Sequence, residues 1–234
     1  DSSSSDTRLL TITDHELADR LSWFINIRWF AGLIAAVFLL IAWNFFGIRF
    51  AVAPVMVAVG VLFLYNAGLV LAVKSLRQSS RLTRSWVYVI ANIQVVCDLI
   101  SVAVIWHYCG GVENAFAIFF IFPMVWASEL LPRRNAYLHA LLGAVLVNAV
   151  VWGEYTGVIG HVHLQRAVDH GSVLESFVPA ELYRDWAFVF MVGFTFAGSL
   201  FVTVFLAGTV AARLRYRENQ LEESNRSLKS VDMM

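Results

Sequence analysis

The sequence predicts an all-α integral membrane protein: a six-transmembrane-helix bundle continued by a C-terminal cytoplasmic coiled-coil helix. Three observations predict it. Of the 234 residues, 59% are hydrophobic and 15% charged, with mean hydropathy +0.68. A soluble domain is about 45–50% apolar and about 25% charged, so this chain has too little polar surface to coat a soluble globule. The apolar residues fall into six runs close to the roughly 20 residues that a crossing helix needs. Basic residues collect on alternate connections between those runs. The balance of 17 Lys+Arg against 17 Asp+Glu gives no sign of a nucleic-acid partner. Two cysteines exclude a disulfide framework and a Cys-based zinc site.

Taken in order, residues 1–26 read as a cytoplasmic N-terminal segment. It is polar and Ser-rich, with a weak amphipathic stretch around Leu17–Ile25 and no cleavable signal peptide. Residue one is Asp rather than Met, as expected of a processed, trimmed or incompletely recorded chain. Residues 27–210 form the transmembrane domain. Its spans run from about Trp29 to Phe46, Val52 to Val73, Trp86 to Trp106, Ala115 to Leu131, Ala136 to Tyr155 and Trp186 to Val210. The fourth is the shortest and contains Pro123, which can kink a helix whose freed carbonyl finds another partner. Strand-type alternation is absent from these runs, which argues against a membrane β-barrel. Residues 156–185 make the one long loop.

Lys74, Arg77, Arg81, Arg84, Arg133, Arg134, Arg213, Arg215 and Arg217 all fall on one side of such a bundle. Counted over the chain, 14 basic residues lie on that side and Arg49, Arg166 and Arg184 on the other. Basic loops stay cytoplasmic, so both termini are expected inside. Trp23, Trp29, Trp43, Trp86, Trp106, Trp152 and Trp186 lie near span ends and read as an interfacial belt facing lipid headgroups. In residues 211–234 the composition changes. Leu214, Leu221 and Leu228 are seven apart, and Val210, Arg217, Ser224 and Val231 form the second row of that heptad. This predicts a short parallel coiled coil, hence a homodimer; the alternative is a solvated helix at the membrane surface. The chain closes on Val231-Asp232-Met233-Met234 without a helix stop signal, so further protein is expected to follow.

Polar residues inside the spans are the candidate sites. Asp98 sits near the middle of span three, where a charge is costly. It reads as a protonation or ligand switch, or as a protonated acid bonded to a neighbouring helix. Gln94 shares its face at i and i+4, and Asn66, Asn92, Ser101 and Asn148 are further partners on offer. The turn after span three joins Gly110 and Gly111 to Asn114, whose side chain can cap span four. Trp106, His107, Tyr108, Phe116 and Phe119 give that turn an aromatic surface with polar tips. A quinone head group needs such a slot with donors; the plainer reading is a capped helical connection. His161, His163 and His170 in the long loop form a His-x-His plus third His set that can take zinc, copper or nickel, or simply be solvated. His107 and His139 lie at opposite ends of the bundle and cannot clamp one haem. Cys97 and Cys109, about 18 Å apart along a helix, are too far for a disulfide. Cys109 is the more accessible thiol by position.

Four features resemble the membrane input module of six-helix bacterial sensor histidine kinases of the redox- or quinone-responding type. They are Arg28-Trp29-Phe30-Ala31 at the start of span one, Cys97-Asp98-Leu99-Ile100, the turn Gly110-Gly111-Val112-Glu113-Asn114-Ala115-Phe116, and the exit helix Leu221–Asp232. The turn looks like a Gly-Gly-x-x-Asn-Pro-Phe quinone-sensing motif, with Ala115 standing where the family has Pro. The resemblance implies a bacterial cytoplasmic-membrane sensor that passes a redox or membrane signal through helix six. Its output would be a cytoplasmic kinase domain and a response regulator. No phospho-acceptor segment or ATP-binding motif lies in this chain, so no catalytic residue is assigned. Two other classes compete. A small transporter would line a path with Asp98, Gln94 and Glu129. An accessory subunit of a respiratory or photosynthetic assembly would use His107 or His139 as a single axial ligand.

Overall fold

The structure, a computed structural model, describes residues 2–79, 83–168, 173–176, 179 and 181–231, with side chains from Asp19 to Leu221 except at 168, 173, 215, 218 and 219. Long apolar runs make up most of the long helices. These helices are α1 (Ser2–Asn44), α2 (Val52–Gln78), α3 (Arg84–Tyr108), α5 (Arg133–Thr156) and α6 (Trp186–Val231). Helices α1 and α6 extend beyond their apolar runs into polar sequence. The shorter α4 covers Ile121–Leu130. Helix ends follow local chemistry. Pro54 falls in the first turn of α2, where a missing N–H is harmless. Gly157, left-handed at φ 75°, ends α5. Asp185 Oδ1 accepts from Ala187 N at 2.8 Å and Phe188 N at 3.2 Å, capping the start of α6.

Five helical segments are long and apolar enough to cross a membrane: Asp19–Asn44, Val52–Gln78, Arg84–Tyr108, Arg133–Thr156 and Trp186–Leu214. Their outward faces are apolar, with Ile34, Leu64 and Phe194 among the exposed side chains. This is a multi-pass membrane protein. The expected fourth span differs from the other five. Ala115–Leu130 is a shorter apolar segment, made of a 3₁₀ stretch over Ala115–Phe120 followed by α4. Pro123 lies in the first turn of α4, just past this change of helix type. It therefore breaks no established α-helical ladder, and the kink expected of a mid-span proline is replaced by a tighter helix preceding it.

The main inter-helix core cluster includes Leu21, Ile25, Leu99, Trp106, Phe120, Met124 and Leu200, and a second, smaller one gathers Leu39, Phe50, Val55, Val59 and Cys109. Leu21 and Ile25 come from the stretch expected to precede the domain, and α1 runs on through residues 26 and 27 without interruption. Helix α6 packs chiefly along α5 and α4. The close approach of α5 and α6 is permitted at Gly193, where a side chain would collide with the Asn148 amide. Small residues serve this purpose between membrane helices. Trp106 leaves the expected belt, since it is 1% exposed. Its indole packs edge-on to Phe120 and donates to the Asn114 carbonyl at 3.1 Å. Trp23, Trp29, Trp86 and Trp186 are exposed as a belt requires.

The long loop contains β2 (Gln165–Val168) and β3 (Val173–Ser176), which join β1 (Ile48–Arg49) in an antiparallel sheet of order β1-β2-β3. Arg166 pairs with Ile48 on one side and Glu175 on the other. The sheet lies at the end of the bundle reached by the close of α3 and α5 and the start of α6. We call this the sheet end, and the opposite end, which carries Arg77, Arg133 and Arg134, the basic end. At the basic end Arg77 pairs with Asp19 at 2.7 Å and Arg20 with Glu129 at 3.1 Å.

Candidate functional site

Two polar clusters are built into this apolar frame. The first lies in the bundle interior. Asp98 is 5% exposed and Arg28 is 3% exposed. Arg28 Nη2 donates to Asp98 Oδ2 at 2.7 Å, and Nη1 donates to Asn66 Oδ1 at 3.1 Å. Tyr65 Oη donates to Asp98 Oδ1. Asn66 Nδ2 then donates to the Ile25 carbonyl at 3.2 Å, and the guanidinium lies over the Trp126 ring at 5.2 Å. Helices α1, α2, α3 and α4 thus meet around one ion pair. Of the partners on offer to Asp98, Asn66 joins the cluster through Arg28, while the acid's direct partners among the described residues are Arg28 and Tyr65 rather than Gln94, Asn92, Ser101 or Asn148. Gln94 is buried with both amide atoms unpartnered among the described residues. Asn92 instead accepts from Asn135 at 3.2 Å and meets His139 Nε2 at 2.9 Å. Glu129 stands with Arg20 at 3.1 Å.

The second cluster lies at the sheet end. Gly110 and Gly111 have φ of 110° and 49°, conformations that glycine alone adopts freely. They swing the chain into a 3₁₀ turn over Gly111–Glu113. A Cβ on Gly111 would collide with the Glu154 carboxylate, and one on Gly110 would stand 2.9 Å from Leu164 Cβ. The turn therefore presses its backbone onto the last turn of α5 and onto the loop. Asn114 locks it, accepting from Phe116 N at 2.9 Å and donating to the Cys109 carbonyl at 2.8 Å. Phe116 packs against Phe38 and Phe119. The indole N–H of Trp106 and the side chain of Asn114 are thus engaged within the turn, and neither is offered to a quinone.

What the turn presents instead is Glu113. Its Oε1 lies 3.0 Å from His161 Nε2 and 3.1 Å from His163 Nδ1, and its Oε2 accepts from Leu164 N at 2.8 Å. Glu154 continues the chain of contacts, with Oε2 2.7 Å from His161 Nδ1 and Oε1 2.7 Å from His107 Nδ1. The side chains of Glu113 and Glu154 are fully buried, and that of His161 is 2% exposed. Tyr183 stacks on His161 at 4.1 Å between ring centres and 13° between planes. Burial works to lower the His161 pKa, and the hydrogen bonds and charges of Glu154 and Glu113 outweigh it, holding the imidazolium above its ordinary value. Neither carboxylate is paired with Lys or Arg among the described residues.

Glu113, His161 and His163 place one possible metal-ligating atom each within 4.8 Å of one another. Of the expected trio, His161 and His163 are joined by a carboxylate from the glycine turn. His170 lies outside the described residues. His107, singled out for a quinone slot, belongs to this second cluster. Cys109 is buried, with its thiol pushed up to about 12 by burial, so it is not the more accessible thiol expected from its position. Both cysteines are free. Reasoning from sequence missed Arg28, Tyr65, Glu113, Glu154 and Tyr183 as site residues. The signal for Arg28 and Glu154 was present: each is an ionisable residue in or beside an apolar run. No protein-family model, curated protein or solved structure matches this chain.

Proposed function

We propose that this chain is a membrane sensor module, of the kind that feeds a cytoplasmic histidine kinase and its response regulator. The carrying observation is α6. It runs unbroken from Trp186 to Val231 over 46 residues, or about 69 Å at 1.5 Å per residue, more than twice the roughly 30 Å hydrocarbon core. One end starts at the Asp185 cap, two residues from the tyrosine that stacks on His161. The other end projects far past the bundle. A single rigid element therefore joins the sheet-end cluster to the opposite side of the membrane, where tilt, piston or rotation can be read.

The charge distribution supports a cytoplasmic basic end with both termini there, in a bacterial inner membrane. The 3₁₀ stretch supports a sixth crossing. Six residues at about 2.0 Å and ten at about 1.5 Å span roughly 27 Å, close to the bilayer core. Leu221 is exposed on the part of α6 past the crossing segment, in the same heptad row as Leu214 at that segment's end, which supports a coiled-coil partner and hence a homodimer. The full pairing of Asp98 with Arg28 speaks against a transport path.

Cysteine crosslinking tests the reading. With Cys97 and Cys109 replaced by Ala, Leu214→Cys and Leu221→Cys chains in native membranes should form disulfide-linked dimers. Glu154→Gln at the sheet end should change the rate of linkage. Absence of a crosslink at both positions sinks the dimeric stalk, and a rate indifferent to the sheet-end change sinks the signalling role.

A further inference from the structure

We propose that Glu113, His161 and His163 form a binding site for one divalent transition ion of the Zn²⁺ class at the sheet end. The donor set decides the class. Two imidazole nitrogens and one carboxylate oxygen with a fourth position open suit a borderline ion such as Zn²⁺. Mg²⁺ and Ca²⁺ need about six or more oxygens, which this site lacks. A tetrahedral ion with bonds of about 2.0–2.1 Å spaces its ligands by roughly 3.4 Å. The two edges that meet at Glu113 Oε1, 3.0 and 3.1 Å, are within a few tenths of that spacing. The remaining edge is within 4.8 Å and can close through His163, whose side chain is 34% exposed while those of Glu113 and His161 are buried.

The surroundings are those of a ligand shell. Metal-bound histidines commonly donate their second ring nitrogen to a carboxylate, which fixes the tautomer and the ring. Glu154 Oε2, 2.7 Å from His161 Nδ1, stands in that place, and His107 holds the other oxygen at 2.7 Å. Leu164 N holds Glu113 Oε2 at 2.8 Å, leaving Oε1 as a single ligand atom. Tyr183 stacked on the His161 ring closes another side. Without an ion, both His161 nitrogens face carboxylate oxygens, so both carry protons. An arriving ion takes the Nε2 lone pair, and one proton leaves His161 for solvent while the Nδ1 proton stays on the bond to Glu154. Two buried carboxylates without a Lys or Arg partner then gain a fixed countercharge. Glu154 is a positioning residue, because it touches the ligand rather than the ion.

Binding stands on this geometry alone. Only its consequence at the far end of α6 rests on the signalling reading, so the test reads binding. The full chain in lipid nanodiscs, stripped with chelator, is titrated calorimetrically with Zn²⁺, with Mg²⁺ as control. One Zn²⁺ per chain is expected, at micromolar or tighter affinity, with no Mg²⁺ binding. His163→Ala, at the exposed edge and least able to disturb folding, should weaken Zn²⁺ at least tenfold, as should Glu113→Gln. Glu154→Gln should weaken it about 10–100-fold, the usual effect of an outer-shell partner, and should lower the number of protons released per ion. No saturable Zn²⁺ binding overturns the proposal. So does Zn²⁺ affinity unchanged in both His163→Ala and Glu113→Gln, since the ion then binds elsewhere.

Discussion

The two polar clusters are both buried and both link helices distant in sequence, yet they are opposite in electrostatic design. Around Asp98 the charges close on themselves: one carboxylate, one guanidinium, a phenol and an amide. At the sheet end two carboxylates face three imidazoles whose charge depends on pH and on what else is present. A strong fixed cation in apolar surroundings makes a lock. Partners that can trade protons or accept an ion make a site whose state can change. The difference separates the part of the molecule that holds four helices together from the part whose charge state can change.

The comparison breaks most sharply at the lock. Arg28→Ala or Asp98→Ala each leaves an unpaired buried charge, and each should cost about 3–5 kcal/mol. The double replacement by Leu should restore most of that loss, because a well-packed apolar pair can replace a buried ion pair at little cost. Reversible unfolding in mixed micelles measures all three. A double variant as unstable as the worse single one would show that the pair does more than satisfy itself.

A smaller effect is expected where the glycine turn meets Glu154. Gly111→Ala meets both a left-handed backbone and the buried carboxylate, and should cost roughly 1–3 kcal/mol. Its Zn²⁺ affinity should fall with it, since Glu113 is delivered by the same turn. A thermal-shift assay with and without Zn²⁺ reads both, and an unshifted midpoint would mean that the turn does not set the cluster.

The smallest effect is on pH dependence. The folded pKa of His161 is raised above its unfolded value. Its contribution is therefore whole below the ordinary histidine pKa of about 6.5 and is lost as pH rises through the raised value. Metal-free protein should lose thermal stability over that rise, and Glu154→Gln should flatten the slope. With Zn²⁺ present the trend should reverse, because protons compete with the ion for imidazole. A slope identical in the wild-type and Glu154→Gln proteins would remove His161 from the account.

Much of this was legible in the chain itself. Apolar run length specifies five long helices, and Gly110-Gly111 with Asn114 marks the turn that was found. Asp98 stood out as an acid in an apolar span, but its partner Arg28 lies 70 positions away. Periodicity reveals which face of a helix is special and says nothing of which helix it meets. Glu154 lies near a span end, and its partner His161 reaches it only because the loop folds back. The fourth segment departed locally: a 3₁₀ stretch over Ala115–Phe120 precedes α4, and Pro123 falls in the first turn of α4 rather than kinking it. The sheet was hidden because each strand has at most four residues, and Asp169-His170-Gly171-Ser172, a run of turn-forming residues, sits between two of them.

The central claim is that the state of the sheet-end cluster is carried by α6 to its far end. The direct test places spin labels at Ser75→Cys and Leu214→Cys in a chain with Cys97 and Cys109 replaced by Ala, diluted with unlabelled protein in nanodiscs. Distances are then measured by pulsed electron resonance with and without bound Zn²⁺. The account predicts a Zn²⁺-dependent shift of the distance distribution that is lost in Tyr183→Ala, where the ring stacked on His161 is gone. Identical distributions in the free and Zn²⁺-bound protein would contradict it.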